Sequence, residues 1–216
     1  MKRYIISILL VCGLLSACEP VDKGINTGTS NGKHDCSMYD YFRKDPKNWS
    51  MLLEMIDHAG LQSLFKGEDP AYPQITFWGP TNMSIQRYIW DNDMKQVTEM
   101  SADFCRKVLL LHVVKGKRMK DSFNFRVPDA SGKIVGASEL TTEGGVELLA
   151  YREQEEYGSV ANAGAIHLFL YSKNTEANLP MGSPDIEPLN GVVHSLNYNY
   201  TLGEIVTEAE LERLKQ

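Results

Sequence analysis

A change of hydrophobic texture at His112 constrains this chain more than any other feature. Ahead of it, apolar residues recur at helical spacing. Behind it, short β-branched and aromatic runs alternate with clusters of Gly, Pro, Asp and Ser. Helices gathered in one half and strands in the other predict an α+β fold rather than alternating βαβ units. Trp49, Leu52, Leu53 and Ile56 stand at i, i+3, i+4 and i+7, on one helical face. Asp45-Pro46 supplies the start of that helix: a capping acceptor, then a residue with preset φ and no N–H to leave unpaired. Gly60 supplies its stop. Ser37 is placed to cap a shorter turn carrying Met38, Tyr41 and Phe42, and Leu61, Leu64 and Phe65 extend the apolar pattern to the break at Gly67-Glu68-Asp69-Pro70. A strand at 75–78 interrupts this half. Ile85, Tyr88 and Ile89 then give a helix its inner face. Met94, Val97 and Met100 suit a shorter helix, and Ser101 caps another that carries Phe104, Val108 and Leu111. Strands are expected at 113–114, 123–127, 133–135, 146–151, 166–171 and 192–196. Thr207-Glu208-Ala209-Glu210 has the form of a capping box, opening a last helix with Leu211 and Leu214 facing inward.

The beginning of the chain predicts an address. Lys2 and Arg3 precede an apolar run at 4–15 that is short for a membrane span, and Ser16-Ala17 follow. Residues 1–17 read as a secretory signal, with Leu15-Ser16-Ala17-Cys18 in the form of a bacterial lipobox. Acylation of Cys18 would anchor the chain to a membrane, since each buried methylene contributes about 0.8 kcal/mol. The expected location is the cell envelope, lipid-anchored to an outer membrane, with surface exposure an open alternative. Residues 18–34 hold almost nothing apolar after Cys18 and are expected to be a flexible tether. The remainder is long enough for one domain with its own core. The net charge of -6, without a basic stripe, argues against nucleic acid as a partner. Cys36 and Cys105 remain beyond the signal and Cys18. An envelope compartment permits a bridge between them, while the apolar helical setting of Cys105 suits a buried thiol equally well.

Several residues invite a functional reading, each with a plainer one beside it. Pro80-Thr81-Asn82 forms a strand-to-helix turn in which Pro fixes φ and the polar side chains can satisfy helix-start donors. Asn190-Gly191 supports a tight turn into a closing strand, because both residues tolerate positive φ. His112, at an apolar helix end, is either a hydrogen-bonded core histidine or a recognition residue. His58 suits the C-terminus of its helix, where a cation complements the dipole. Glu153, Glu155, Glu156 and Tyr157 make an acidic, aromatic segment that is either a recognition element or a solvated hairpin tip. Residues 179–188 read as a Pro/Gly loop. Tyr198 and Tyr200 are candidates for stacking on sugars, or alternate members of a strand with one facing the core. The five histidines are isolated in sequence, and no metalloprotease helix, paired Cys-x-x-Cys or nucleophile elbow is present. No catalytic residue, metal or cofactor is expected.

Three separated segments carry a family resemblance. They are Ile75-Thr76-Phe77-Trp78-Gly79-Pro80-Thr81-Asn82, Leu111-His112-Val113-Val114, and Asn190-Gly191-Val192-Val193-His194-Ser195-Leu196. In that order they resemble the signature of a fasciclin domain, across residues 35–205 with a C-terminal helix at 206–216. Leu111 stands where the family's usual middle motif has Tyr. The resemblance implies a fasciclin-like β-wedge with helices packed against it. It also implies a non-catalytic envelope lipoprotein, serving cell-surface adhesion or binding a protein or glycan partner. The alternatives are an accessory lipoprotein of an outer-membrane transporter for glycan uptake and, ranked last, a glycan hydrolase.

Overall fold

A computed structural model describes residues 32–127 and 129–216. The expected signal, Cys18 and most of the expected tether lie outside the described residues. The folded unit begins at Gly32, ahead of the boundary expected at 35. The Glu187 amide donates to the Gly32 carbonyl and the His34 amide donates to the Glu187 carbonyl, at 2.6 and 3.0 Å. His34 also rests its ring 4.5 Å from that of Tyr41. Backbone pairing therefore fixes residues 32–34, which composition alone reads as tether.

The α+β class is borne out. The helical half contains α1 (Met38–Lys44), α2 (Pro46–His58), α3 (Gln62–Lys66), α4 (Asn82–Asp91) and α5 (Ala102–Leu110). Ser37 and Ser101 accept from the Asp40 and Phe104 amides and cap α1 and α5. Pro46 opens α2, and Gly67 closes α3 in the left-handed conformation at φ 73°. Residues 97–99 form a single 3-10 turn where a short helix is expected.

Among the described residues the sheet has seven strands in the order β2-β1-β7-β6-β5-β4-β3. They are β1 (Ile75–Gly79), β2 (Val113–Lys115), β3 (Ser138–Thr141), β4 (Glu147–Gln154), β5 (Ile166–Ser172), β6 (Asn178–Ile186) and β7 (Gly191–Leu196). β1 and β7 pair in parallel, and the remaining neighbours are antiparallel. β1 is buried along its whole length. Its Phe77 meets Phe65 edge-on at 4.9 Å and Phe42 at 6.0 Å, and Trp49 packs 5.1 Å from Phe42. Each such fully buried ring contributes roughly 1.5–3 kcal/mol of burial, with a further increment for the edge geometry. The last helix, α6 (Glu208–Leu214), has the complete capping box expected at Thr207 and Glu210.

The strand expectations need three corrections. Residues 123–127 and 133–135 are not strands; their strand-like pairing is confined to the isolated bridges Phe125↔Arg152 and Val127↔Val135, while Phe123 is buried against Trp78 and His194. β3 carries no strong sequence pattern and is held as an edge strand by its ladder with β4. The expected loop at 179–188 is mostly strand β6, interrupted by register shifts between Met181 and Ser183 and between Ser183 and Ile186. Bulges tolerate Pro184 and the positive φ of Asp185, so breaker residues mark an irregular strand here, not a loop.

Candidate recognition surface

The three segments that share a family resemblance converge on neighbouring strands. Residues 113–114 lie in β2, residues 75–79 form β1 and residues 191–196 form β7. The Trp78 amide donates to the His112 carbonyl at 2.9 Å, tying the first segment to the second.

The polar residues of these segments are spent inside the fold. Asn82 does not cap its own helix. Its carboxamide oxygen accepts from the Met51 amide at 2.8 Å, and its nitrogen donates to the Pro46 and Lys47 carbonyls and the Ser50 hydroxyl. It thereby staples the start of α4 to the first turn of α2. Thr81 makes no side-chain cap bond, and its buried hydroxyl has no hydrogen-bond partner among the described residues. Asn190 is likewise a cross-link. Its oxygen accepts from the Met38 amide at 2.7 Å and its nitrogen donates to the Phe65 carbonyl at 3.0 Å, joining the start of α1 to the end of α3. Of the Asn190-Gly191 pair, only Gly191 has positive φ. A Cβ there would fall on the Ile75 carbonyl oxygen, so glycine is demanded chiefly by the close parallel approach of β7 to β1.

His112 is fully buried and offers no surface to a partner. Its Nδ1–H donates to the Val108 carbonyl at 2.8 Å, and its Nε2 accepts from the Tyr200 hydroxyl at 2.7 Å. The Tyr200 oxygen in turn accepts from the Gly203 amide. Burial pushes the imidazole down to about 4, and the same burial raises the Tyr200 phenol. His194 repeats the arrangement: the Asp185 amide donates to Nδ1, and Nε2–H donates to the Arg118 carbonyl. Burial lowers its pKa also, against an opposing pull from Asp185. Both rings are neutral, with both nitrogens engaged, and neither is free to carry a proton to a ligand. His58 uses its ring on the Met100 carbonyl at 2.9 Å, a link to the 3-10 turn as well as a helix-end position. Tyr200 is core and Tyr198 is exposed, but neither is in a strand: β7 ends at Leu196, and the Tyr200 amide donates to the Asn197 carbonyl at 3.0 Å in the turn that follows.

Exposed apolar residues gather instead at the free end of β4 and β5. Tyr157 and Val160 pair with each other at the hairpin tip and are 75% and 59% exposed. Phe125, Val127 and Val135 are exposed on the adjoining edge segments. The acidic residues singled out from sequence lie here. Glu153 faces Arg126 at 3.8 Å, Glu155 approaches His167 at 3.0 Å, and Glu156 is exposed beside Tyr157. Phe125, Arg126, Glu153, Gln154 and Asn162 enclose a hollow of about 360 Å³. Sequence reading reaches Glu153 but not Phe125, Arg126, Gln154 or Asn162. The bridge between Phe125 and Arg152 brings those positions together across 27 residues of chain, and no local pattern announces it.

Two larger clefts, of about 470 and 550 Å³, run along α6. Their polar groups largely serve the fold. Lys173 pairs with Glu139 and Glu147, Glu210 completes the capping box, Arg87 donates to the Tyr198 and Asn199 carbonyls, and Lys215 binds Glu212 and Asn92. These are seams where the last helix docks. Cys36 and Cys105 are both free thiols, and burial raises the Cys105 thiol to about 11. Among the described residues no group of three or more His, Cys, Asp or Glu could hold a metal ion, and no helix is long and apolar enough to cross a membrane.

Neither a family model nor a curated protein matches this chain. Among solved structures it is similar to a FAS1 domain pair from the insect cell adhesion molecule Fasciclin I. The identity is 12% and the TM-score 0.41, over 77% of this chain and 46% of that one. The chain therefore spans less than half the length of that neighbour.

Proposed function

We propose that this chain is a non-catalytic binding module of the cell envelope, anchored through an acylated Cys18, that engages a protein or glycan partner with the β4–β5 end of its sheet. The observation that carries the reading is the set of five large apolar side chains exposed at that end: Phe125, Val127, Val135, Tyr157 and Val160. Exposed apolar side chains concentrated in one region, rather than scattered singly, mark a surface for interaction. The order of the three resembling segments supports a binding rather than a catalytic role, and both buried histidines are already committed within the core. The lipid anchor rests on Leu15-Ser16-Ala17-Cys18.

Two measurements test the proposal. Cys18→Ala should move the protein from the membrane to the soluble fraction, and retention in the membrane refutes the anchor. Purified mature protein should bind envelope preparations saturably, and the double substitution Tyr157→Ser with Val160→Ser should weaken that binding about tenfold, the effect of losing central apolar contacts. Undiminished binding by a folded double variant refutes the assigned surface.

A further inference from the structure

We infer that the hollow bounded by Phe125, Arg126, Glu153, Gln154 and Asn162 is a binding site for a neutral oligosaccharide. The inference rests on the reading of the β4–β5 end as the contact surface, and it names the ligand chemistry.

The size is right for a small ligand. At about 360 Å³ the hollow falls near the lower end of small-ligand sites, which begin at about 300 Å³, and holds one or two pyranose rings. The chemistry of the walls is more selective than the size. A sugar ring offers an apolar face of C–H groups and a rim of hydroxyls that both donate and accept. Phe125 supplies an aromatic wall. The Arg152 guanidinium lies 4.2 Å from the ring centroid, and is itself held by the Phe123 carbonyl at 2.8 Å and by Asp121 at 2.9 Å. The ring is thus fixed before any ligand arrives, yet stays 42% exposed. Pre-set aromatic faces lose little entropy on binding.

The rim has unspent hydrogen-bonding capacity. The Gln154 side chain donates its Nε2–H to the Gly164 carbonyl, which leaves its oxygen as an acceptor. Arg126 and Glu153 form a long ion pair at 3.8 Å, with the guanidinium also over the Tyr151 ring at 5.9 Å, and the carboxylate keeps lone pairs and the guanidinium N–H groups for vicinal hydroxyls. Asn162 offers both a donor and an acceptor from the opposite limb of the hairpin. Paired carboxylate, guanidinium and two carboxamides around one aromatic ring suit a polyhydroxylated ligand better than an apolar protein anchor. The charges decide between neutral and anionic sugars. The lining carries one cation, Arg126, and one anion, Glu153, which offset each other, so the hollow holds no net positive charge to draw an anionic ligand.

The test uses the mature chain and defined saccharides. Neutral hexasaccharides of glucose, mannose, galactose and xylose, with sialyllactose as the anionic control, are titrated by calorimetry. At least one neutral saccharide should bind saturably and more tightly than sialyllactose. Glu153→Gln and Asn162→Gly should each weaken it by about tenfold, the loss expected for a charge-assisted or paired hydrogen bond. Asn162 sits at φ 55°, where glycine is at ease, so Asn162→Gly removes the carboxamide and keeps the turn. The inference is overturned if no neutral saccharide binds, if sialyllactose binds as well, or if both variants bind unchanged. Envelope binding by the Tyr157→Ser, Val160→Ser double variant is measured in parallel. If saccharides fail while the double variant still loses envelope binding, the sugar assignment falls alone. If envelope binding also persists in the double variant, the surface assignment falls with it.

Discussion

Acidification should destabilise this protein in a pH window that belongs to its buried histidines. His112 has an ordinary imidazole value of 6.5 when unfolded and about 4 when folded, because burial disfavours the cation. The sign follows from proton binding. Above the unfolded value both states are neutral there and the contribution is complete. Between 6.5 and 4 the unfolded chain takes up a proton that the native state refuses, so stability falls as pH falls. Below 4 both states are protonated and the loss has reached its limit. At about 1.36 kcal/mol per unit, the His112 share is about 2.5 kcal/mol at pH 4.5 and about 3 kcal/mol at its limit. His194 shifts in the same direction and adds to the loss. Carboxylates held low by their partners, such as Glu187 beside Lys117 and Glu210 in the capping box, lose their contribution only below about pH 4.5. The window from about pH 6.5 to 4.5 therefore isolates the buried histidines. Urea unfolding at intervals across it gives the slope, and the His112 Hε1 resonance reports the residue directly. A resonance that titrates with a midpoint near 6.5, or a stability flat across the window, refutes the reasoning.

Three further outcomes follow from named contacts. Gly191→Val should cost about 2–4 kcal/mol, since its Cβ falls on the Ile75 carbonyl where β7 meets β1, and an unchanged melting temperature counts against that register. Asn190→Ala leaves the Met38 amide and the Phe65 carbonyl unpaired in a buried site and should cost about 2–4 kcal/mol in urea unfolding, whereas a loss below about 0.5 kcal/mol rejects the cross-link. Cys105, buried and with its thiol raised to about 11, should resist a thiol reagent at neutral pH until urea unfolds the chain; rapid labelling in the native state contradicts its burial.

Much of the framework is legible because it is local. Ser37, Ser101 and the Thr207–Glu210 box cap the helices expected of them, and Ile85, Tyr88 and Ile89 face inward as their spacing predicts. Local rules fail where partners lie far away. Asn82 has the composition of a cap but reaches across to α2, and Asn190 has that of a turn but bridges α1 and α3. Residues 179–188 carry breakers yet pair as β6, because neighbouring strands supply the hydrogen bonds and bulges absorb Pro184 and Asp185. The candidate site divides in the same way. Glu153 and Tyr157 belong to one conspicuous segment, while Phe125 and Asn162 reach it only through the sheet edge and the hairpin.

The sequence by itself determined the α+β class, since hydrophobic period and capping chemistry are fixed by residues within a few positions of one another. It also placed glycine at 191, where a side chain has no room. Tertiary structure alone decided that the segments around Phe77, Val113 and Val193 pair as adjacent strands. It alone closed the His112–Tyr200 network, by packing two rings 88 positions apart in the chain, and it alone set Phe125 beside Gln154 and Asn162. Such long-range pairings depend on how buried surfaces and backbone ladders are satisfied together, a condition on the whole fold that no single stretch of sequence encodes.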